Sequence, residues 1–254
     1  MNKTITYLIA LLALMISSLG AMAQNTGSSP YLNSTHTYSS AKTSGMTGTT
    51  MAWAVDGGGT VVPAADALSA DISWTTLGLH KVFVTETTAV PNSCSTTREF
   101  DVSVVVNSFN LTAADLNDNC GSGSGTVLDD TPAPPQTLRI FTVNMTGDVT
   151  ESFIFDYSIT SPISLATINS VTVKDSDGTM ISTGVSANAV SVSAGKAPFT
   201  VLVLVDSRWD TEDDINLSIS NAEDSFGTPE NLLTDNDNGT IIYALPKTSP
   251  ISSN

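Results

Sequence analysis

Residues 50–60 read TMAWAVDGGGT, residues 69–78 SADISWTTLG, and residues 79–86 LHKVFVTE. Met51, Trp53 and Val55 alternate with small residues, and the run then breaks at Asp56-Gly57-Gly58-Gly59, where glycine takes a positive φ at no steric cost. Ala70, Ile72 and Trp74 alternate next, and Thr75 to Gly78 reads as a turn. Val82, Val84 and Glu86 share one face of the following strand, and Leu79, Lys81, Phe83 and Thr85 share the other. Phe100, Val102, Val104 and Val106 complete the pattern. Side chains alternate faces along a strand, so this spacing predicts short antiparallel strands folded into a β-sandwich.

The rest of the chain extends that reading. The 254 residues suffice for two all-β modules of about a hundred residues each. Phe153, Phe155, Tyr157 and Ile159 alternate strictly, as do Val190 and Val192, and then Ile215, Leu217 and Ile219. The run Phe199 to Val205 is apolar on both faces and predicts a central strand. The fold class expected is all-β, with two antiparallel sandwiches joined by a Gly/Ser/Pro-rich connector. The Trp and Gly landmarks of the first module do not recur, so the second is not a repeat of it.

The expected boundaries follow composition. Residues 1–23 have Lys3 ahead of an apolar run from Tyr7 to Ile16 and then Ala21-Met22-Ala23, the form of a cleaved secretory signal peptide. Residues 24–34 read as a flexible start, 35–107 as the first sandwich, 108–136 as linker, 137–246 as the second sandwich and 247–254 as a frayed tail. The linker carries GSGSG at 121–125 and Pro-Ala-Pro-Pro at 132–135, a flexible piece followed by a stiff one. No segment after the leader is long and apolar enough to span a bilayer as a helix, and the destination expected is periplasm, cell surface or medium.

The order Tyr38, Trp53-Ala54-Val55, Gly57-Gly58, Ile72-Ser73-Trp74, Gly78, Val82-Phe83-Val84-Thr85-Glu86, Cys94 and Val102 to Val106 resembles the PKD-like, immunoglobulin-like domain of secreted and cell-surface Bacteroidota proteins. The resemblance covers about residues 35–107. Where the stricter signature has a Trp-Asp-Phe-Gly-Asp-Gly turn, this chain has Trp53-Ala54-Val55-Asp56-Gly57-Gly58. The resemblance implies a spacer or interaction module of the cell surface and carries over no catalytic residues.

Charge and motif content narrow the function classes. Nine Lys and Arg against 25 Asp and Glu give a net charge of −16, which disfavours nucleic acid and anionic lipid as partners. The two histidines, His36 and His80, read as surface residues, and no triad, zinc set or nucleotide-binding glycine motif is present. No enzyme is expected, although the abundance of acids leaves a paired-carboxylate glycoside hydrolase open. In an oxidising compartment Cys94 and Cys120 are a candidate disulfide, the alternative being two separate thiols.

Calcium is the cofactor the acids would take, if they take one. Asp115, Asn117, Asp118 and Asn119 form an Asp-x-Asn-Asp-Asn string that resembles the calcium-binding linker of cadherins. Asp175-Ser176-Asp177-Gly178 and Asp235-Asn236-Asp237-Asn238-Gly239 offer alternate oxygens, without the spacing of an EF-hand loop. Turns are the competing reading for each, since Asp, Asn and Gly are preferred turn residues. Trp209, set among Asp206, Asp210 and Glu212, is a candidate platform for a sugar ring, against the alternative of covering a sandwich end. The function expected is an exported, non-catalytic structural or interaction component with a cell-surface or envelope protein as partner. The alternative is a carbohydrate-binding or calcium-dependent adhesive module with a polysaccharide as partner.

Overall fold

The computed structural model describes residues 25–43, 48–89, 93–115, 119–120, 136–161, 167–206 and 213–243. The described residues contain strands and turns and no helix, and the chain is an all-β protein of antiparallel sandwiches. It divides into two compact units, Met1–Val106 and Asn107–Asn254.

Unit 1 is built from β1 (Thr35–Ser39), β2 (Thr50–Val55), β3 (Gly59–Pro63), β4 (Ser69–Trp74), β5 (Gly78–Thr87) and β6 (Ser95–Val104). One sheet has the order β1-β4-β3 and the other β2-β5-β6, all antiparallel. This is the strand order of an immunoglobulin-type sandwich. Its core is Ile72, Trp74, Val82, Val102 and Val104, with Trp53, Tyr38, Val55 and Val61 packed around it. The Gly57-Gly58 turn is demanded by the core: Gly58 has φ +71°, and a Cβ there would come within 2.3 Å of the His80 ring.

Two expectations for this unit are corrected. The segment read as a flexible start is packed into the sandwich from Asn25 onward, with Asn25, Tyr31 and Ser34 buried. It runs parallel to the end of β6, where the N–H groups of Ser103 and Val105 donate to the carbonyls of Ser28 and Pro30 at 2.9 Å each. His36, read as a surface residue, is buried in β1, and its Nε2 lies 2.8 Å from the Asn25 carboxamide oxygen. Both corrections have one cause. The polar Asn25 satisfies the imidazole, which allows a polar-looking segment to become core.

Unit 2 holds β7 (Asn110–Asp115), β8 (Asn119–Cys120), β9 (Gln136–Thr146), β10 (Phe153–Thr160), β11 (Thr167–Lys174), β12 (Met180–Thr183), β13 (Ser186–Val192), β14 (Phe199–Asp206), β15 (Asp213–Asp224) and β16 (Asp237–Tyr243). They form two five-stranded sheets, β13-β10-β15-β16-β8 and β12-β11-β14-β9-β7. β14 lies at the centre of its sheet, as its two-faced apolar sequence predicts, with Phe199, Val201, Val203 and Val205 fully buried. β7 falls within the segment read as linker. Its alternating Leu111 and Ala113 are buried, and it extends the sheet beside β9 instead of bridging two modules. The short polar sequence conceals a strand because only two of its side chains face the core.

The two sheets are joined by aromatic packing. Phe155 of β10 stacks on Phe199 of β14 with ring centroids 4.5 Å apart, and Phe153 contacts both rings at 6.2 and 6.1 Å. Such pairs add to the area they bury. Phe155→Ala should therefore lower the unfolding free energy by about 3–5 kcal/mol in urea denaturation, as expected for a fully buried aromatic side chain. A loss below about 1 kcal/mol would show that the sheets do not depend on this stack.

Candidate functional site

β1 and β6 are edge strands of opposite sheets in unit 1, and beyond the N-terminal segment that joins the end of β6, each pairs with a single strand of its sheet. Between them the sandwich is open. A groove of about 430 Å³ lies there, floored by Val82, Val84 and Trp53 and walled by Tyr38, Arg98 and Phe100. A smaller cavity of about 60 Å³ continues it past Arg98 to Met51, Thr96 and Glu86.

The groove follows from strand parity. Thr96, Arg98, Phe100, Val102 and Val104 all occupy the inward-facing positions of β6. Val102 and Val104 are covered by the opposite sheet and buried, whereas Phe100 is 48% exposed on the same face. The regular period expected for Phe100 to Val106 is thus present, but only its middle is core, and Val106 is 67% exposed. The N-terminal segment covers β6 at residues 103–105 and leaves residues 96–100 facing the groove.

The lining groups are held in place. Trp53 Nε1 donates to the Ala67 carbonyl at 2.8 Å, which fixes the indole on the floor. The Tyr38 hydroxyl donates to the Gly27 carbonyl at 2.6 Å and accepts from Trp74 Nε1 at 3.2 Å. Burial pushes the Tyr38 phenol up to about 12, with the Trp74 hydrogen bond working in the opposite direction. Glu86 accepts from the Thr43 hydroxyl at 2.7 Å and the Thr43 N–H at 3.1 Å, and these bonds hold its carboxyl below the ordinary range. Among the described residues no carboxylate lies within ion-pair distance of Arg98. The groove therefore presents aromatic surface, two strand edges and one uncompensated guanidinium in a protein of net charge −16.

The residues singled out from sequence lie elsewhere. Cys94 is exposed just before β6, with its N–H donating to Thr88 Oγ1 at 2.9 Å. Cys120 is placed by its backbone alone, in register with Tyr243, and its side chain lies outside the described residues. Asp115 ends β7 and Asn119 begins β8, but their side chains, and all of Asn117 and Asp118, lie outside the described residues. Trp209 does as well. Among the described residues no group of three His, Cys, Asp or Glu side chains could hold a metal ion. His80 stacks on Trp74 at 5.6 Å, with Nδ1 3.6 Å from Asp56 and Nε2 3.1 Å from the Thr76 carbonyl, a packing role under the glycine turn. The groove itself left one trace in the sequence, the aromatic Phe100 on a face whose neighbour Arg98 is charged.

No protein-family model and no curated protein matches the chain. Solved structures similar to it include the fibronectin(III)-like modules of Clostridium thermocellum CbhA, at 9% identity over 90% of this chain and 96% of that one, with a TM-score of 0.30. Another is the Yersinia pseudotuberculosis adhesin InvE, at 14% identity over 85% of this chain and 56% of that one, TM-score 0.26. A third is the secreted serine protease VesC from Vibrio cholerae, at 10% identity over 77% and 44%, TM-score 0.23. At such scores the similarity carries no functional argument, and the chain's own geometry must supply it.

The Tyr38 environment gives a direct test of the groove wall. Its folded-state pKa lies above that of a solvated phenol, so the stability it contributes is intact below about pH 10 and is lost as the pH rises towards 12. The ultraviolet titration difference between wild type and Tyr38→Phe should have its midpoint near 12. A midpoint near 10 would mean that Tyr38 is solvated and the wall is not built as described.

Proposed function

We propose that this chain is an exported, non-catalytic interaction protein of the cell surface or envelope, and that unit 1 receives an extended segment of a partner polypeptide between β1 and β6. The observation that carries this reading is the N-terminal segment of the chain itself. It already adds to β6 as a parallel strand at residues 103–105, through Ser103 N–H to Ser28 and Val105 N–H to Pro30, with Leu32 N–H returning to the Val105 carbonyl at 2.9 Å. The rest of the same edge continues past the groove in unbroken register with β5. Because Ser103 and Val105 point their N–H groups away from β5, period two gives Thr97, Glu99 and Asp101 the same direction. A partner strand would gain those backbone bonds, set alternate side chains on Trp53, Tyr38 and Phe100, and place an acidic side chain against Arg98. Export rests on the leader at residues 1–23.

A carbohydrate is the second reading, favoured by the aromatic lining of the same groove, since a sugar ring stacks on Trp and Tyr. The two differ in what they ask of the backbone. Only a strand needs the outward N–H of residue 99.

Short synthetic peptides alternating Thr and Val around one Asp should bind the full chain weakly and shift amide resonances of β1 and β6 in NMR. Glu99→Pro removes an outward N–H and should weaken that binding about five- to tenfold, while Glu99→Ala, which keeps the N–H, should leave it unchanged. Equal loss in both variants, or shifts confined to other strands, would remove the strand-addition reading. Glycan binding that survives Glu99→Pro would put the carbohydrate reading in its place.

A further inference from the structure

The loop that joins β15 to β16 returns across the free edge of β7, and it brings a set of oxygen atoms with it. Glu230 is buried and its carboxylate accepts the Leu111 N–H at 2.6 Å and the Asn236 side-chain amide at 2.6 Å. Asp235 accepts the Asn110 amide at 2.8 Å and the Thr112 hydroxyl at 3.1 Å, both on the same oxygen, Oδ2. Three acceptors in the cluster are left over. Asp235 Oδ1, Asn110 Oδ1 and Asn236 Oδ1 are each shut off from solvent, and no protein donor reaches them. Asn236 is 1% exposed, and its amide donates to Glu230, which fixes its carboxamide beside that carboxylate.

Buried carboxylates elsewhere in this unit do not behave this way. Asp148 accepts the Thr150 N–H at 3.0 Å and its hydroxyl at 2.6 Å, and Asp224 accepts the N–H groups of Phe226 at 2.9 Å and Thr228 at 2.8 Å. Those are turn caps, with the oxygen fully used. At Glu230 and Asp235 the two acids lie close enough to repel, and Glu230 is held above the ordinary carboxylate range by burial and to a lesser extent by Asp235. No ion pair reaches either acid among the described residues. Buried acceptors with no donor cost free energy, and a cation is the partner that satisfies several of them together.

We propose that Asp235, Asn236, Glu230 and Asn110 form a calcium site that pins the β15–β16 loop to the edge of β7. Two carboxylates and two carboxamides make an oxygen-only set of mixed charge, the donor type of Ca²⁺, and the set contains no nitrogen or sulfur ligand for a transition metal. The site belongs to unit 2 alone and is separate from the groove of unit 1. It shares no residue with the acid string at residues 115–119.

The test is calcium titration of the full chain by calorimetry, with thermal unfolding in CaCl₂ and in EDTA. Wild type should bind one Ca²⁺ and gain about 5–10 °C in Tm at a hundredfold excess over Kd. Asp235→Asn should weaken binding at least about tenfold and remove the gain, whereas Asp118→Asn, in the string at 115–119, should retain both. Asn236→Asp gives a check of opposite sign: added charge should make the chain less stable in EDTA and tighten calcium binding. No binding by wild type would overturn the proposal, because ordered water would then satisfy these oxygens. Binding that is lost in Asp118→Asn and retained in Asp235→Asn would overturn it equally.

Discussion

Unit 1 depends on the burial of Trp74. Its indole is fully enclosed between the sheets, and burying so large a side chain with its N–H requires a partner for that N–H. Tyr38 is the partner, and Tyr38 in turn donates to the Gly27 carbonyl. One buried tryptophan thereby fixes the side chain that walls the groove and the segment that closes its lower end. The same ring stacks on His80, which occupies the space a Cβ at Gly58 would need. The glycine turn, the N-terminal segment and the groove wall are consequences of a single side chain finding complete cover.

The groove is what remains where cover runs out. A sandwich with three strands in each sheet cannot shield the full length of a ten-residue edge strand such as β6. The N-terminal segment shields the last part, and the inward-facing Arg98 and Phe100 are left at the opening. An inward position occupied by arginine argues that the opening is maintained: a guanidinium held there resists closure of the sheets, because closing would strip its water without supplying an anion. In unit 2 the aromatic cluster of Phe153, Phe155 and Phe199 closes the middle of the sandwich completely, and polar side chains are forced to its margins. The oxygen-rich loop beside β7 is one such margin, where the Glu230 carboxylate and the Asp235 carbonyl accept the N–H groups of Leu111 and Ala113 in place of a neighbouring strand.

Much of the architecture was readable from the chain. Period-two runs at Ile72 and Trp74, at Phe153 to Ile159 and at Phe199 to Val205 identified strands, their buried faces and the central place of β14, because the pleat alone decides which side chains share a face. The second unit as a different sandwich followed from the absence of recurring Trp and Gly landmarks. β3 and β7 were not readable as strands: Gly59–Pro63 follows a glycine turn and ends in proline, and Asn110–Asp115 is small and polar. Both gain their structure from the strand beside them.

The amino-acid sequence by itself determined the fold class, the alternation of core and surface, and the acidity that argues against nucleic acid as a partner, since each is a sum over local properties. Which positions meet was decided only by tertiary structure. Phe100 and Val102 are equivalent in sequence period, yet one lines a groove and the other is core, because exposure depends on where the opposite sheet ends. Asn110 and Asp235 are 125 residues apart, and their shared hydrogen bond exists because a loop returns over an edge strand. Local pattern sets the faces of strands; the length and order of the strands decide which of those faces are covered.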